Sequence, residues 1–432
     1  INNQPELPRK IKIGVAYTEN KKKNDQYNYL MNIDRSLIAQ NPLKGDDIDG
    51  FFNNKFDLYN AVDNTGQPFS SIFCTYEKNE LPIDHTFGKS KVSAAFAMAD
   101  YTIVSRLRVS GGVRIEKANL FTDVFQYDAL GYAANDKRRI YADGLPLANP
   151  GKYNEINVLP SANIIYKLSK NEESPINLRV NYSQTIARPS LRELSDVAIY
   201  DYELRAPVFG NSDLRTVKIK NYDVRIESYF KNGDNISVSG FYKDFRNHIE
   251  VINTGGYTWE NVDKSSVAGI ELEGRKKLSI HFDFRANVTF VKSVTEYQRK
   301  TTVISNGSKT FLVSGEGTRP MFGQAPYVLN GILSYTSDSL GLTVSLSYNV
   351  QGPRLVIASQ VEELPDIYEM PRNLIDCKLS KNLGKHYAIS ITVRDILNAS
   401  IRRTYKYGNS YNLDFDKFTY GTNYLVGFSY KL

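Results

Sequence analysis

Arg188 and Arg192 stand in the stretch ARPSLREL (187–194). Two guanidinium groups so spaced could hold a carboxylate or a phosphate through paired N–H donors; a plainer role is to tie a loop to its surroundings. Few other residues offer chemistry. His85, His248, His281 and His386 are scattered, and no His-x-x-x-His, Cys-x-x-Cys or Gly-x-Ser-x-Gly spacing occurs. Zinc hydrolase and serine esterase chemistry therefore have no foothold. His281 and His386 fall at short turns, where solvated side chains are expected. KGDDIDGFF (44–52) fails as a calcium loop, because aligning Asp47, Asp49 and Gly50 with an EF-hand puts Gly45 at the first ligand and Phe56 at the last. Cys74 and Cys377 lie far apart, and Cys377 alternates with Ile375 and Leu379 as a small apolar filler. The residues point to no enzyme, no metal and no cofactor.

What remains is binding. Tyr200, Tyr202 and Arg205 share one loop, Trp259 lies in the hairpin NTGGYTWENV, Tyr297 and Arg299 open another loop, and Tyr405 and Tyr407 sit near the last. Tyrosine, tryptophan and arginine supply rigid contact area and fixed donors, which is why binding hot spots favour them. With Arg188 and Arg192 they form the candidate ligand-binding set. The competing role for tyrosines near strand ends is a girdle at a membrane interface.

The elements that position these residues are strands. LTVSLSYNVQ (342–351) puts Leu342, Val344, Leu346, Tyr348 and Val350 on one face and Thr343, Ser345, Ser347, Asn349 and Gln351 on the other. The same period of two recurs in IKIGVAY (11–17), LRVSGGVRIE (107–116), INLRVNYS (176–183), YDVRIESYF (222–230), FDFRANVTF (282–290), YAISITV (387–393) and YLVGFSYKL (424–432). A soluble sandwich would also alternate. Here, however, the polar faces carry charges strand after strand, and the apolar faces often end in Tyr or Phe. Connections alternate too: short at 168–175, 230–235, 335–341 and 382–386, long at roughly 18–90, 120–153, 187–219, 296–322, 352–370 and 398–417. Short turns on one side and long loops on the other predict an all-β, antiparallel transmembrane β-barrel with lipid outside and a polar lumen. About fourteen strands of roughly ten residues fit this chain, with both termini on the short-turn, periplasmic side. Lumen charges such as Arg179, Arg225, Glu227, Glu273, Arg275 and Arg285 are expected to pair across strands.

Composition agrees. Tyrosine (30 residues) outnumbers every other aromatic, and no stretch approaches the apolar run of a membrane helix. The net charge of +7 is spread along the chain without a basic stripe, so nucleic acid is not an expected partner. The opening INNQPELPRK has no apolar core region, so the chain is expected to be a mature product or a fragment.

Several stretches resemble the barrel of TonB-dependent outer-membrane receptors of the Bacteroidetes kind. VSGGVRIE (109–116), LPSANIIYKL (159–168), NYSQTIARPSLRELSD (181–196), FGNSDLRTVKIKNYDVRIESYF (209–230), SVSGFYKDFRNHI (237–249), VAGIELEGRKKL (267–278) and ITVRDILN (391–398) follow in the family's order, and VGFSYKL is similar to its C-termini. Ser212, Thr216 and Leu432 depart from the pattern. The resemblance implies a plugged barrel of about 22 strands, so residues 1–432 would be its C-terminal portion, with the plug and first strands lying outside this chain. A self-contained 14-strand barrel is the rival. The implied function is the wall and outer ligand-binding loops of an active importer of siderophore, cobalamin, glycan or peptide in a Gram-negative outer membrane. Its implied partners are lipid, the missing barrel strands and, through the plug, TonB; a capping surface lipoprotein is left open. The alternative is a barrel serving as scaffold or adhesin without transport.

Overall fold

The alternating stretches become long strands. The computed structural model describes residues 9–33, 74–79, 84–124, 150–169, 174–202, 204, 206–254, 256–305, 308–408 and 410–430. In chain order the strands are β1 (Arg9–Asp25), β2 (Asn28–Ile33), β3 (Cys74–Asn79), β4 (His85–Val104), β5 (Leu107–Val124), β6 (Gly151–Lys167), β7 (Ile176–Ala187), β8 (Ala198–Asp201), β9 (Ala206–Phe209), β10 (Val217–Tyr229), β11 (Asn235–Asn253) and β12 (Tyr257–Lys277). There follow β13 (Phe282–Ser305), β14 (Ser308–Arg319), β15 (Tyr327–Ser337), β16 (Leu342–Gln351), β17 (Arg354–Ser359), β18 (Asp366–Glu369), β19 (Leu374–Leu383), β20 (Tyr387–Arg394), β21 (Ile401–Tyr407), β22 (Ser410–Phe418) and β23 (Asn423–Tyr430).

A continuous antiparallel wall runs β1–β4–β5–β6–β7–β10–β11–β12–β13–β15–β16–β19–β20–β23. These are the fourteen strands that the sequence predicts. The β4–β5, β6–β7, β10–β11, β12–β13, β15–β16 and β19–β20 links are short, as expected. On the other side the β1–β4, β7–β10, β13–β15, β16–β19 and β20–β23 links carry further strands, β11 and β12 meet directly in a hairpin, and residues 125–149 between β5 and β6 lie outside the described residues. His281 and His386 do sit at short turns. Strand length departs from the expectation of roughly ten residues. β12 has 21 residues and β13 has 24, because the wall continues past the bilayer on the long-loop side.

The two faces differ as the alternation requires. On the outer face Tyr182, Tyr222 and Tyr242 pair across β7, β10 and β11, with ring centroids 5.1 Å and 6.2 Å apart, and form an aromatic band. A second band lies by the short turns, where Phe282 meets Tyr335 at 5.1 Å and Tyr387 meets Tyr430 at 5.2 Å. Between the bands Val224, Ile226, Val238 and Leu272 are exposed. In water that surface would be a large unpartnered apolar patch, and hydrocarbon is the solvent that suits it.

The inner face is a ladder of charges and amides. Glu227 accepts from Arg179 at 2.6 Å and from Arg225 at 3.0 Å, and Arg225 also donates to Glu273 at 2.6 Å. Asp283 accepts from Arg275 at 2.7 Å and from Arg285 at 2.9 Å. Asn330 donates to Asn287 at 2.7 Å and accepts from Asn349. The expected cross-strand pairing of the lumen charges is what the structure contains.

The wall ends in two bare edges. Among the described residues β1 pairs only with β4, and β23 only with β20. Val15 is 86% exposed and Val426 78%, against 48% for Val224 mid-wall. The excess reflects an edge with no strand beside it among the described residues, and an unpaired edge in hydrocarbon costs several kcal/mol for each unsatisfied backbone group.

Candidate functional site

The segments at 187–219, 352–370 and 398–417, read from sequence as loops, contain strands, and these strands join. β8 pairs with β9, β9 runs parallel to β12, β12 pairs with β11, β11 runs parallel to β17, and the series continues through β18, β21 and β22. Four separate connections thus merge into one sheet above the outer aromatic band. The tip of the β11–β12 hairpin stands at its centre. Glu250, Val251 and Ile252 are consecutive and all buried, so both faces of the hairpin are covered.

One face carries an apolar cluster of Ala118, Leu120, Tyr153, Leu194 and Leu214, against which Trp259 and Ile249 pack. The 190–194 turn is held there by a capping box: Ser190 N–H donates to Glu193 at 2.9 Å, and Glu193 N–H donates to Ser190 Oγ at 3.2 Å. A Cβ on Gly210 would lie 1.7 Å from the Ser195 carbonyl oxygen, so the close approach of these two segments needs glycine. Asn211 then donates its amide to the Trp259 carbonyl at 3.0 Å. The FGNSD motif is a clamp between this loop and the hairpin.

The other face holds Ile252, Leu355, Ala358 and Tyr368, and beside them a buried charged cluster. Arg319, at the end of β14, pairs with Glu250 and donates to the Ser359 carbonyl. Its guanidinium lies 4.1 Å from the Tyr297 ring centroid and 4.0 Å from Asp366. Burial pushes the Glu250 carboxyl up to about 7, against the pull of Arg319. Burial, then the Arg319 charge, holds His248 down to about 4, and burial also raises Asp366. The β13–β14 hairpin is latched on through Lys300, whose N–H donates to the Gln360 carbonyl at 2.7 Å and whose carbonyl accepts from Glu362 at 3.0 Å.

The predicted binding residues separate into three positions. Arg188 pairs with Glu116 of the wall, Trp259 packs in the apolar cluster, and Tyr297 stacks on Arg319. Arg192 meets Asp201 at 3.0 Å, and Tyr405 packs edge-on to Phe415 at 5.6 Å. Tyr202, 85% exposed, stands edge-on to Tyr200 at 5.1 Å, and Tyr407 is also exposed. Tyr297 and Arg299 do not open a loop; both lie inside β13, with a bulge after Arg299, and Tyr405 and Tyr407 lie inside β21. Arg205 and the 44–52 acidic stretch lie outside the described residues. Sequence reasoning passed over Glu250, Arg319 and Asp366. The available signal was a lone carboxylate between apolar neighbours in HIEVI (248–252). Among the described residues no group of three or more His, Cys, Asp or Glu is placed to hold a metal ion. The arrangement offers rings, guanidinium groups and hydroxyls for contact, and no nucleophile with its base.

A family model described as "TonB dependent receptor-like, beta-barrel" matches residues 2–394. No curated protein matches the chain in sequence. Among solved structures, the siderophore receptor PiuA from Acinetobacter baumannii is similar at TM-score 0.59 and 13% identity, covering 99% of this chain and 54% of that one. The ferric-catecholate import receptor Fiu from E. coli K12, in its closed form, gives 0.56 and 13%, covering 100% and 53%. The siderophore receptor PirA from Acinetobacter baumannii gives 0.52 and 13%, covering 98% and 52%. The chain therefore spans about half the length of these receptors, and likeness at such identity speaks to fold alone. Wall, aromatic bands, charged lumen and family match agree: this chain is an outer-membrane β-barrel belonging to the TonB-dependent receptor-like β-barrel family.

Proposed function

We propose that residues 1–432 form the channel wall and the extracellular ligand-binding rim of a TonB-dependent importer in a Gram-negative, Bacteroidetes-type outer membrane. The observation that carries this reading is the single extracellular sheet assembled from four connections. A sheet pinned by clamps and a buried ion pair is a pre-organised surface, and pre-organisation lowers the ordering cost of binding. Tyr200, Tyr202 and Tyr407 present exposed rings on it. The bare edges of β1 and β23 support a larger wall, completed by strands outside 1–432 that also bring the plug and the TonB-contacting segment.

The substrate belongs to the nutrient classes such receptors import: siderophore, cobalamin, glycan or peptide. Ferric siderophores are the first to try, because the similar solved receptors are named for them. The test is uptake of labelled members of each class by a deletion strain, complemented with the native gene and with Tyr202→Ala. Loss of uptake of one class, restored by the native gene and reduced by the variant, supports the reading. Unimpaired uptake of all four classes contradicts it and favours a scaffold.

A further inference from the structure

The outer face of the wall carries a concavity of about 730 Å³ between β10 and β13. Its floor is Gly240 and Ala268, and its sides are Tyr242, Ile270 and Phe290. A Cβ placed on Gly240 would meet nothing within 4 Å, so the hollow comes from a missing side chain rather than from a close backbone approach. The hollow lies immediately below the point where the outer face turns from apolar to charged. On β10 the step falls between Tyr222 and Lys220, on β11 between Tyr242 and Asp244, and on β13 between Phe290 and Lys292. Above the step, Arg246 is 3.8 Å from Asp244 and Lys264 is 2.8 Å from Glu296. Lys218, Lys220 and Lys292 are exposed and have no ion-pair partner among the described residues. Lys292 lines the hollow itself and pairs in register with Ala268.

We propose that this hollow and its lysines bind a phosphorylated, multiply acylated lipid of the outer leaflet. One acyl chain fills the space over Gly240, and separate phosphates of the headgroup meet Lys292 on β13 and Lys220 three strands away on β10. The occupant is specified by complementarity of two kinds at one boundary. The hollow faces hydrocarbon, which excludes a polar solute, and the unpaired cations stand at headgroup level, where phosphate is the anion that hydrocarbon-bound molecules carry. A second copy of the chain would have to bring both an apolar knob and an anionic rim to the same place.

The test is native mass spectrometry of the protein purified from outer membranes in mild detergent. The probes are a bis-phosphorylated hexa-acyl glycolipid, the same glycolipid without phosphate, and zwitterionic phosphatidylethanolamine. Gly240→Leu should weaken retention of the phosphorylated lipid by about tenfold, which is about 1.4 kcal/mol. Lys220→Gln with Lys292→Gln should reduce it comparably and erase the preference over the phosphate-free form. Both lysines are exposed on the outer face of β10 and β13, so this variant keeps the test valid if Gly240→Leu fails to fold. Retention by both variants equal to that of the native protein, no preference for phosphate, or a dimer lost on Gly240→Leu would each overturn the proposal.

Discussion

Glu250 on β11 and Arg319 at the end of β14 form an ion pair with almost no solvent contact, and it fastens the central hairpin to the neighbouring connection. Arg319 also reaches the Ser359 carbonyl, so a single side chain joins β11, β14 and β17. Removing Arg319 leaves Glu250 to take up a proton in a buried site and strips the Ser359 carbonyl of its donor, at about 1–3 kcal/mol. Arg319→Ala should therefore loosen the extracellular sheet while leaving the wall intact. Hydrogen exchange should rise in 354–369 and stay unchanged in 222–229. Unchanged protection in both segments would show that the pair does not hold the sheet.

The same cluster sets a pH dependence with two opposing parts. The carboxyl of Glu250 is raised to about 7 from an ordinary 4.5, so the folded state binds its proton more tightly. That contribution is full below pH 4.5 and is lost as pH climbs to 7. His248 is lowered to about 4 from 6.5, so its contribution is full above 6.5 and lost as pH falls towards 4. Between pH 4.5 and 6.5 the two oppose each other. Asp366, also raised by burial, acts in the same sense as Glu250. Glu250→Gln with Asp366→Asn should therefore leave extracellular stability rising with pH over 4–6.5, and His248→Phe should leave it falling over 4.5–7. The fluorescence of Trp259, the single tryptophan, which packs on the same hairpin, follows both. Parallel pH curves for the two variants would contradict the assignment.

Trp259 and Tyr202 should part company in function. Trp259 is packed against the apolar cluster, so Trp259→Ala creates a cavity costing about 3–5 kcal/mol and lowers the melting temperature. Tyr202 is 85% exposed, so Tyr202→Ala should leave melting unchanged within about 0.5 kcal/mol and weaken ligand capture. Calorimetry paired with ligand titration separates the two.

Gly210→Ala should displace the 188–216 connection, because its methyl group would collide with the Ser195 carbonyl. Backbone clashes of this kind cost about 2 kcal/mol or more. Faster proteolysis within 188–216, with the wall protected, is the expected readout.

In the lumen, Glu227→Ala strips the shared acceptor from Arg179 and Arg225. The lumen is wet, so the expected loss is about 1–3 kcal/mol. A fall in the heat-induced mobility shift temperature measures it, and Glu227→Gln should fall less.

How much of this was legible in the sequence follows from what each part depends on. Wall strands such as LTVSLSYNVQ declare themselves because each has two solvents and hence a strict period of two. Turn alternation is a matter of spacing and is equally visible. The extracellular sheet was hidden because β8, β9 and β18 have four residues each, too few for periodicity to register. The β11–β12 hairpin tip, buried on both faces, does not alternate at all. Glu250 and Arg319 lie 69 residues apart, and only the assembled sheet brings them together. Tyr297 illustrates the consequence: its type suggested a contact surface, and its place beneath Arg319 depends on a partner that its neighbours in sequence do not predict.

The central claim is that alternate side chains of the wall meet lipid and water. It is tested most directly on β16 by spin labels on single cysteines at each position from 342 to 351, in a background carrying Cys74→Ser and Cys377→Ser, with the protein in outer membranes. Collision with oxygen should peak at 342, 344, 346, 348 and 350, and collision with a water-soluble relaxation agent at the positions between them. Flat profiles, or the two patterns exchanged, would contradict the account.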